Sequence, residues 1–309
     1  MKIVFLDRAS LGDASLKAIE QLGELTCYDR TSPQERIARI ADAEVIITNK
    51  VRIDRPEMEA APALKMICIA ATGMNNVDLQ AAEERGIPVR NVAGYSTESV
   101  VQSTFAHLLN LTAKLPYFDQ RVKSGAYSQS GLFTDMGRSF RELYGKRMGI
   151  IGLGTIGRRV ATVAEAFGME VVYYATSGKA HDDHFRAVSL DELLTTSDVV
   201  SIHAPLNERT AGLISQEELR RMKYTALLLN TGRGGIINET DLAEALNDGW
   251  IAGAGLDVYQ TEPLPADSPL LTVKDPEKLS LTPHTAWASA EARARLIAGI
   301  AENIESLIK

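Results

Sequence analysis

The chain has 309 residues, 45% hydrophobic and 24% charged, with a formal net charge of -7. That length can bury two cores, and the acidic balance argues against nucleic acid or an anionic membrane as the main partner. No apolar run approaches the roughly 18 residues of a membrane span.

Residues 1–7 meet an acid, Asp7, too early for a secretory leader and read as a first strand. Strand signals follow at 24–28, 45–48, 65–70 and 88–90, the first covering 2–6. Helical patterns lie between them at 33–41 and 77–85, the latter stopped by Gly86. This alternation predicts an α/β fold with a parallel sheet covered on both faces. The stretch Ala71-Thr72-Gly73-Met74-Asn75-Asn76-Val77-Asp78 joins a strand to a helix. Its amides could hold a small anion, or it is an ordinary turn with Asp78 near a helix start. Cys27 and Cys68 sit in apolar runs and are expected to be buried, reduced thiols, as in the cytoplasm.

Residues 99–115 are apolar nearly all round, which predicts a helix buried on several sides, between domains or between subunits. A polar stretch dotted with aromatics follows, from Tyr117 to Tyr144. It is too long for a simple connector. It reads as an arm over a partner subunit or as a surface excursion.

A second alternating series begins at Arg147. Strands fit 148–151, 170–174, 199–203, 226–230 and 251–256; helices fit 156–167, 190–195, 216–222 and 240–246. Two helices open with capping-box spacing, Ser189 with Glu192 and Ser215 with Glu218. A last helical pattern spans 288–308. The chain is organised around Gly152-Leu153-Gly154-Thr155-Ile156-Gly157, a glycine turn between strand and helix. Gly152 permits the tight turn, Gly154 a close approach to a pyrophosphate, and Gly157 close packing of helix on strand.

Three further stretches fall at strand ends of this series, where α/β sheets bind ligands. They are Asn230-Thr231-Gly232-Arg233-Gly234-Gly235, then Asp257 with Glu262-Pro263, then Pro283-His284 with Trp287. Their chemistry is coherent. Arg233 suits bidentate binding of a carboxylate. His284 can exchange a proton with a substrate oxygen, and Glu262 can stabilise its protonated form. A dinucleotide bound at the glycine turn would exchange the hydride, as the protein itself cannot.

Gly152-x-Gly154-x-x-Gly157, Asn230-Thr231-Gly232-Arg233-Gly234, Gly255-Leu256-Asp257-Val258 with Glu262-Pro263, and Pro283-His284 resemble, in order and spacing, the D-isomer-specific 2-hydroxyacid dehydrogenases. The resemblance covers nearly the whole chain. It implies two doubly wound parallel-sheet domains: a flavodoxin-like substrate domain from 1–97 plus 285–309, and a Rossmann cofactor domain from 98–284. It implies a homodimer through the cofactor domain. The family's catalytic residues fall on Arg233, Glu262 and His284, and its substrate-carboxylate loop on Thr72, Gly73 and Met74. Cofactor contacts fall on Thr155, Ile156, Thr231, Gly232 and Asp257, with His203 along the adenosine.

One position departs from the pattern. NAD selection usually places an acid at the end of the second strand, about 20 residues past the glycines. Here that position is Ala175, followed by Thr176, Ser177, Gly178 and Lys179. A 2′-phosphate is not repelled there, yet no arginine stands at those positions, so a dual or undecided preference between NAD and NADP is expected. Residues 181–184 (His181, Asp182, Asp183, His184) have metal-like spacing but a loop-like context, and a solvated surface is expected instead. His107, on the apolar helix, is expected to be a satisfied buried histidine. Lys50 and Trp287 are candidate pocket residues. The stretches around Lys50 and 94–97 resemble glycerate dehydrogenases, which favours hydroxypyruvate or glyoxylate as substrate. D-lactate, phosphoglycerate, or an NAD(H)-sensing role without catalysis are the alternatives.

Overall fold

The computed structural model describes residues 1–179 and 182–308. The chain divides into two compact units, residues 1–96 with 288–309, and residues 97–287.

The first unit is built on β1 (Lys2–Phe5), β2 (Glu24–Cys27), β3 (Val45–Thr48), β4 (Met66–Ile69) and β5 (Val89–Arg90). All pairs are parallel, in the order β2-β1-β3-β4-β5. β3 and β4 are buried along their whole length, as continuous apolar runs in a doubly covered parallel sheet should be. β2 lies at the edge and is largely exposed. The expectation of two buried thiols therefore fails for Cys27, because an edge strand has an uncovered side, and holds for Cys68 on central β4. Burial pushes the Cys68 thiol up to about 12, which makes it a poor nucleophile.

The closing helix Ala290–Glu305 is capped by Ser289, whose Oγ accepts from Ala292 N at 3.1 Å. It buries Leu296, Ile297, Ile300 and Ile304 against β4 and helix Lys17–Glu20. The helix expected over 33–41 breaks into a 3₁₀ turn, Pro33–Glu35, and helix Arg36–Ile40. Helix Arg55–Glu59 was not foreseen, although Asp54 and Glu57 close a complete capping box at its start. Asp78 caps helix Leu79–Glu84, accepting from Ala81 N at 2.9 Å.

The second unit opens with helix Thr97–Ala113, which packs on the sheet and on helix Thr155–Ala166. It stops short of the expected 115 because Lys114 turns left-handed (φ 52) and a new helix, Leu115–Lys123, begins with Pro116 in its first turn. Leu115 thus belongs to the second helix, where it is exposed. A short helix, Ala126–Gln129, and a long loop complete the arm.

Seven parallel strands follow: β6 (Arg147–Ile151), β7 (Glu170–Tyr174), β8 (Arg186–Ala187), β9 (Val199–Ile202), β10 (Leu227–Asn230), β11 (Gly253–Leu256) and β12 (Leu279–Leu281). Their order is β12-β11-β10-β9-β6-β7-β8. β8 and β12 escaped sequence reading because they are two and three residues long. The box at Ser215 forms completely. The one at Ser189 is half made: its Oγ accepts from Glu192 N, but the Glu192 carboxylate turns to Arg186 at 2.7 Å. The strand order reverses between β6 and β9. That reversal opens a crevice at the carboxyl ends, the place where doubly wound sheets take dinucleotides.

Candidate active site

β6 ends at the glycine turn. Gly152 has φ +90, and a Cβ there would stand 2.9 Å from Ala204 Cα, so dihedral and crowding both demand glycine. A Cβ on Gly157 would meet Gly152 O at 2.3 Å, so that position lets the helix sit on the turn. Above Gly154 there is open space, with no atom within 4 Å of a Cβ built there. Gly154 and exposed Thr155 start helix Thr155–Ala166 and line a cleft of about 590 Å³, while Ile156 packs on the core. Free helix N–H groups facing open space, with no acid in the first turn, suit a pyrophosphate.

The adjacent strand ends carry a second cleft, of about 600 Å³, lined by Thr176, Ser177, Pro205, Asn207, Glu208 and Arg209. Ala175 packs on the core beside it. His203 follows β9. Its Nε2 meets Ser201 Oγ at 2.8 Å, and its Nδ1 is buried with no partner among the described residues. Burial pushes this imidazole down to about 4, so it is neutral near pH 7.

A pH-dependent stability follows. Unfolding frees His203 to titrate at its ordinary 6.5, so between about 6.5 and 4 the unfolded chain binds the proton that the folded one refuses. Stability therefore falls as pH falls through that window. The expected loss between pH 7 and pH 5 is roughly 2 kcal/mol from this group. Urea unfolding of the unliganded protein at both pH values should show that loss shrinking in His203→Gln. An identical pH dependence in the variant would exclude His203 as its source.

The other half of the sheet carries the remaining chemistry. β10 runs into the loop of Arg233, which the Asn230 side chain folds: its Nδ2 donates to Arg233 O at 2.8 Å, and its Oδ1 accepts from Gly232 N at 3.0 Å. Thr231 is buried, its hydroxyl 2.9 Å from that of Thr104. Arg233 is exposed, with Nη1 donating to Gly232 O at 2.8 Å. A Cβ on Gly234 would fall 1.8 Å from Tyr259 O, so this loop lies directly on the one after β11. In that second loop Glu262 Oε1 accepts from Tyr259 N at 3.0 Å. Its other oxygen, Oε2, lies 2.6 Å from His284 Nδ1. The carboxylate is thus fixed by its own loop and bonded to the imidazole through Nδ1.

His284 has φ +55, a left-handed conformation rare for a residue with a side chain. Such outliers concentrate at functional sites and persist only where the surroundings enforce them. The enforcing group is Asp257, 1% exposed at the end of β11. Its carboxylate accepts from Thr282 Oγ1 at 2.6 Å, Thr285 N at 2.8 Å and Ala286 N at 2.9 Å, and its carbonyl accepts from His284 N at 2.8 Å. Asp257 therefore grips the His284 loop on both sides of the histidine.

That grip extends to helix Thr97–Ala113. His107 Nε2 lies 3.0 Å from Thr282 Oγ1 and its Nδ1 2.8 Å from Ser280 Oγ, while Asn110 Nδ2 donates to Ser280 Oγ at 2.9 Å. The Thr282 hydroxyl has one hydrogen, which goes to Asp257. Nε2 of His107 must then carry the proton, and Nδ1 accepts from Ser280. Both nitrogens of His107 are satisfied, as expected for a structural histidine. Sequence reading missed this chain, since its members are scattered from 107 to 282.

In the first unit, Asp7 is buried and accepts from the backbone N–H of Asn49, Lys50 and Val51, the shortest at 2.6 Å from Lys50. It holds the Lys50 turn. Burial keeps its carboxyl above the usual range despite those donors. Thr72 and Asn91 tie the 72–74 turn to the strand-end loop beside it, with Asn91 Nδ2 donating to Thr72 O at 2.6 Å. Gly73 is partly exposed there, and Met74 packs against the unit's core. Trp287 ends the second unit, half-buried.

Among the described residues no group of three or more His, Cys, Asp or Glu is placed to hold a metal. His184 pairs with Glu165 at 2.9 Å, Asp182 accepts from the His184 and Phe185 amides, and His181 lies outside the described residues.

A parallel sheet with a glycine turn at its switch point, and Arg233, Glu262 and His284 on loops from three neighbouring strands, defines a nicotinamide-dependent dehydrogenase. Residues 105–286 match the family described as D-isomer specific 2-hydroxyacid dehydrogenase, NAD binding domain. Along its whole length the chain is 41% identical to a hydroxypyruvate reductase of Blautia hydrogenotrophica, covering 97% of that protein. Among solved structures it is similar to an acyclic imino acid reductase in complex with NADPH and D-Arg (29% identical, TM-score 0.86, 100% and 97% of the two chains covered). It is also similar to a D-lactate dehydrogenase from Aquifex aeolicus complexed with NAD and lactic acid (28%, TM-score 0.83, 100% and 95%). The chain belongs to the D-isomer-specific 2-hydroxyacid dehydrogenases, NAD- or NADP-dependent oxidoreductases that interconvert 2-oxo and D-2-hydroxy acids.

Proposed function

We propose that the chain reduces a small 2-oxo acid, hydroxypyruvate or glyoxylate by preference, to the D-2-hydroxy acid. The observation that carries this is the 2.6 Å pairing of His284 Nδ1 with Glu262 Oε2, on a loop held by buried Asp257. It leaves the other imidazole nitrogen as the proton donor. The hydroxypyruvate reductase relative supports the choice of substrate.

In this reading Gly152, Gly154, Thr155, Ile156 and Gly157 hold the pyrophosphate, and Ala175, Thr176, Ser177 and His203 flank the adenosine. Thr231, Gly232 and Asp257 flank the nicotinamide. When bound, the dinucleotide supplies the hydride. Arg233 binds the substrate carboxylate bidentately and orients the neighbouring carbonyl. His284, protonated and stabilised by Glu262, donates to the carbonyl oxygen as negative charge develops on it. By the family resemblance, the loop for the substrate carboxylate falls on Thr72, Gly73 and Met74, and Lys50 and Trp287 remain candidate pocket residues.

A panel of 2-oxo acids with NADH and with NADPH, followed at 340 nm, is the test. Hydroxypyruvate or glyoxylate should give the highest kcat/KM. Absence of turnover with every acid, despite dinucleotide binding, would leave only a cofactor-sensing role.

The arm after helix Thr97–Ala113 exposes Leu115, Val122, Leu132, Phe133, Met136 and Phe140. A patch of that kind marks an interface, and here it is proposed to seat a second copy of the second unit. The same preparation should sediment as a dimer, and a monomer at micromolar concentration would remove that assignment. Two cysteines not joined to each other fit a reducing compartment such as the cytoplasm.

A further inference from the structure

We propose that Arg209 makes this chain select the 2′-phosphate of NADP(H), in the cleft it shares with Thr176 and Ser177. The inference rests on the dinucleotide-binding reading above and goes beyond it to the choice between two cofactors.

Sequence reading found no arginine at the end of the second strand and so left the choice open. The fold supplies one from 32 residues further on. Arg209 Nη1 donates to Ser177 O at 2.8 Å, which places a guanidinium against the turn where an NAD-selecting acid would stand. That acid is replaced by Ala175, packed on the core. The guanidinium belongs to the same cleft as Thr176 and Ser177, of about 600 Å³. One of its five N–H groups is used by Ser177 O, and no carboxylate pairs with it among the described residues. The others remain to meet a planar array of phosphate oxygens, a match at which arginine excels.

Both sides of the subsite are pre-organised. Buried Thr210 donates from Oγ1 to Pro205 O at 2.6 Å and accepts from Asn207 N at 2.9 Å. Asn207 Oδ1 accepts from Arg209 N at 2.9 Å. Opposite, Ser177 Oγ donates to Lys179 O at 3.2 Å and accepts from Lys179 N at 3.4 Å, closing a tight turn. The Arg209 guanidinium lines this cleft together with Thr176 and Ser177. A phosphate dianion gains from that fork of donors, whereas a bare 2′-hydroxyl gains little from it.

Equilibrium titration of the whole protein tests this without turnover. Dissociation constants for NADPH and NADH by nucleotide fluorescence, and for 2′,5′-ADP against 5′-ADP by calorimetry, should favour the 2′-phosphorylated member of each pair at least roughly tenfold. Arg209→Ala, checked for an unchanged melting transition, should weaken NADPH and 2′,5′-ADP by roughly 10- to 100-fold and NADH by less than about twofold. Arg209→Lys should recover only part of the loss, keeping the charge without the fork. Equal weakening of both dinucleotides would show that Arg209 serves the adenine or the turn alone, and would overturn the proposal. So would a wild-type protein that binds NADH more tightly. Binding of neither dinucleotide would overturn the cofactor reading beneath it as well.

Discussion

His284→Asn is expected to lower kcat by roughly 10²- to 10⁴-fold while leaving the dinucleotide dissociation constant within a few-fold of wild type. Asparagine is the informative replacement because His284 has φ +55. Asparagine tolerates that left-handed conformation better than other residues with side chains, so the loop held by Asp257 should keep its path. What is removed is the imidazole and its proton. A general acid acts only as charge develops on the substrate oxygen, so its loss belongs to the transition state and appears in kcat. Glu262→Gln gives a second readout. It removes the anion 2.6 Å from Nδ1 but keeps a group of the same shape, so a loss of kcat there would show that the carboxylate's charge, and not only its hold on the ring, serves turnover. Stopped-flow kinetics on the three proteins would decide it. A variant that turns over at the wild-type rate would remove His284 from the proton transfer.

Arg233→Gln should cut kcat/KM by roughly 10²- to 10⁴-fold, the worth of two charge-assisted hydrogen bonds to a carboxylate. Arg233→Lys should fall between, since a point charge cannot reproduce the fork. The side chain is exposed and has one bond, to the adjacent Gly232 carbonyl. Its substitution should therefore leave folding stability nearly unchanged, which separates loss of recognition from loss of structure. The sharper comparison uses a 2-oxo acid and its neutral amide. Wild type should strongly prefer the acid, and Arg233→Gln should largely lose that preference. Undiminished preference in the variant would mean that another cation binds the carboxylate.

The parts of this site that sequence could disclose are those whose chemistry is local. The glycine turn is six consecutive residues, and its strand and helix flank it directly. Arg233, Glu262 and His284 each follow a strand, and the sheet order places those strands side by side. The parts that stayed hidden depend on residues far apart in the chain. The bond from Arg209 to Ser177 spans 32 positions. The contacts from Asp257 to Thr282, Thr285 and Ala286 span 25 to 29. Sequence suggested a cofactor contact for Asp257, whereas most of its acceptor capacity in the structure serves the His284 loop. Cys27 shows the same limit. Its run of residues reads like any buried strand, and only the sheet order reveals that β2 has a single neighbour.

The string of bonds from Asn110 through Ser280, His107 and Thr282 to Asp257 can be populated in only one sense. Every hydrogen in it points toward the carboxylate, and reversing one link would leave two donors or two acceptors face to face. Burial holds the His107 ring below its ordinary titration range, which keeps it uncharged and preserves that sense. The long apolar helix is thereby more than a wall: it sets the direction of the array at whose far end the His284 loop is held. A substitution at Ser280 or Asn110, remote from any reactant, should be felt as a loosening of residue 284 rather than as a hole in the core.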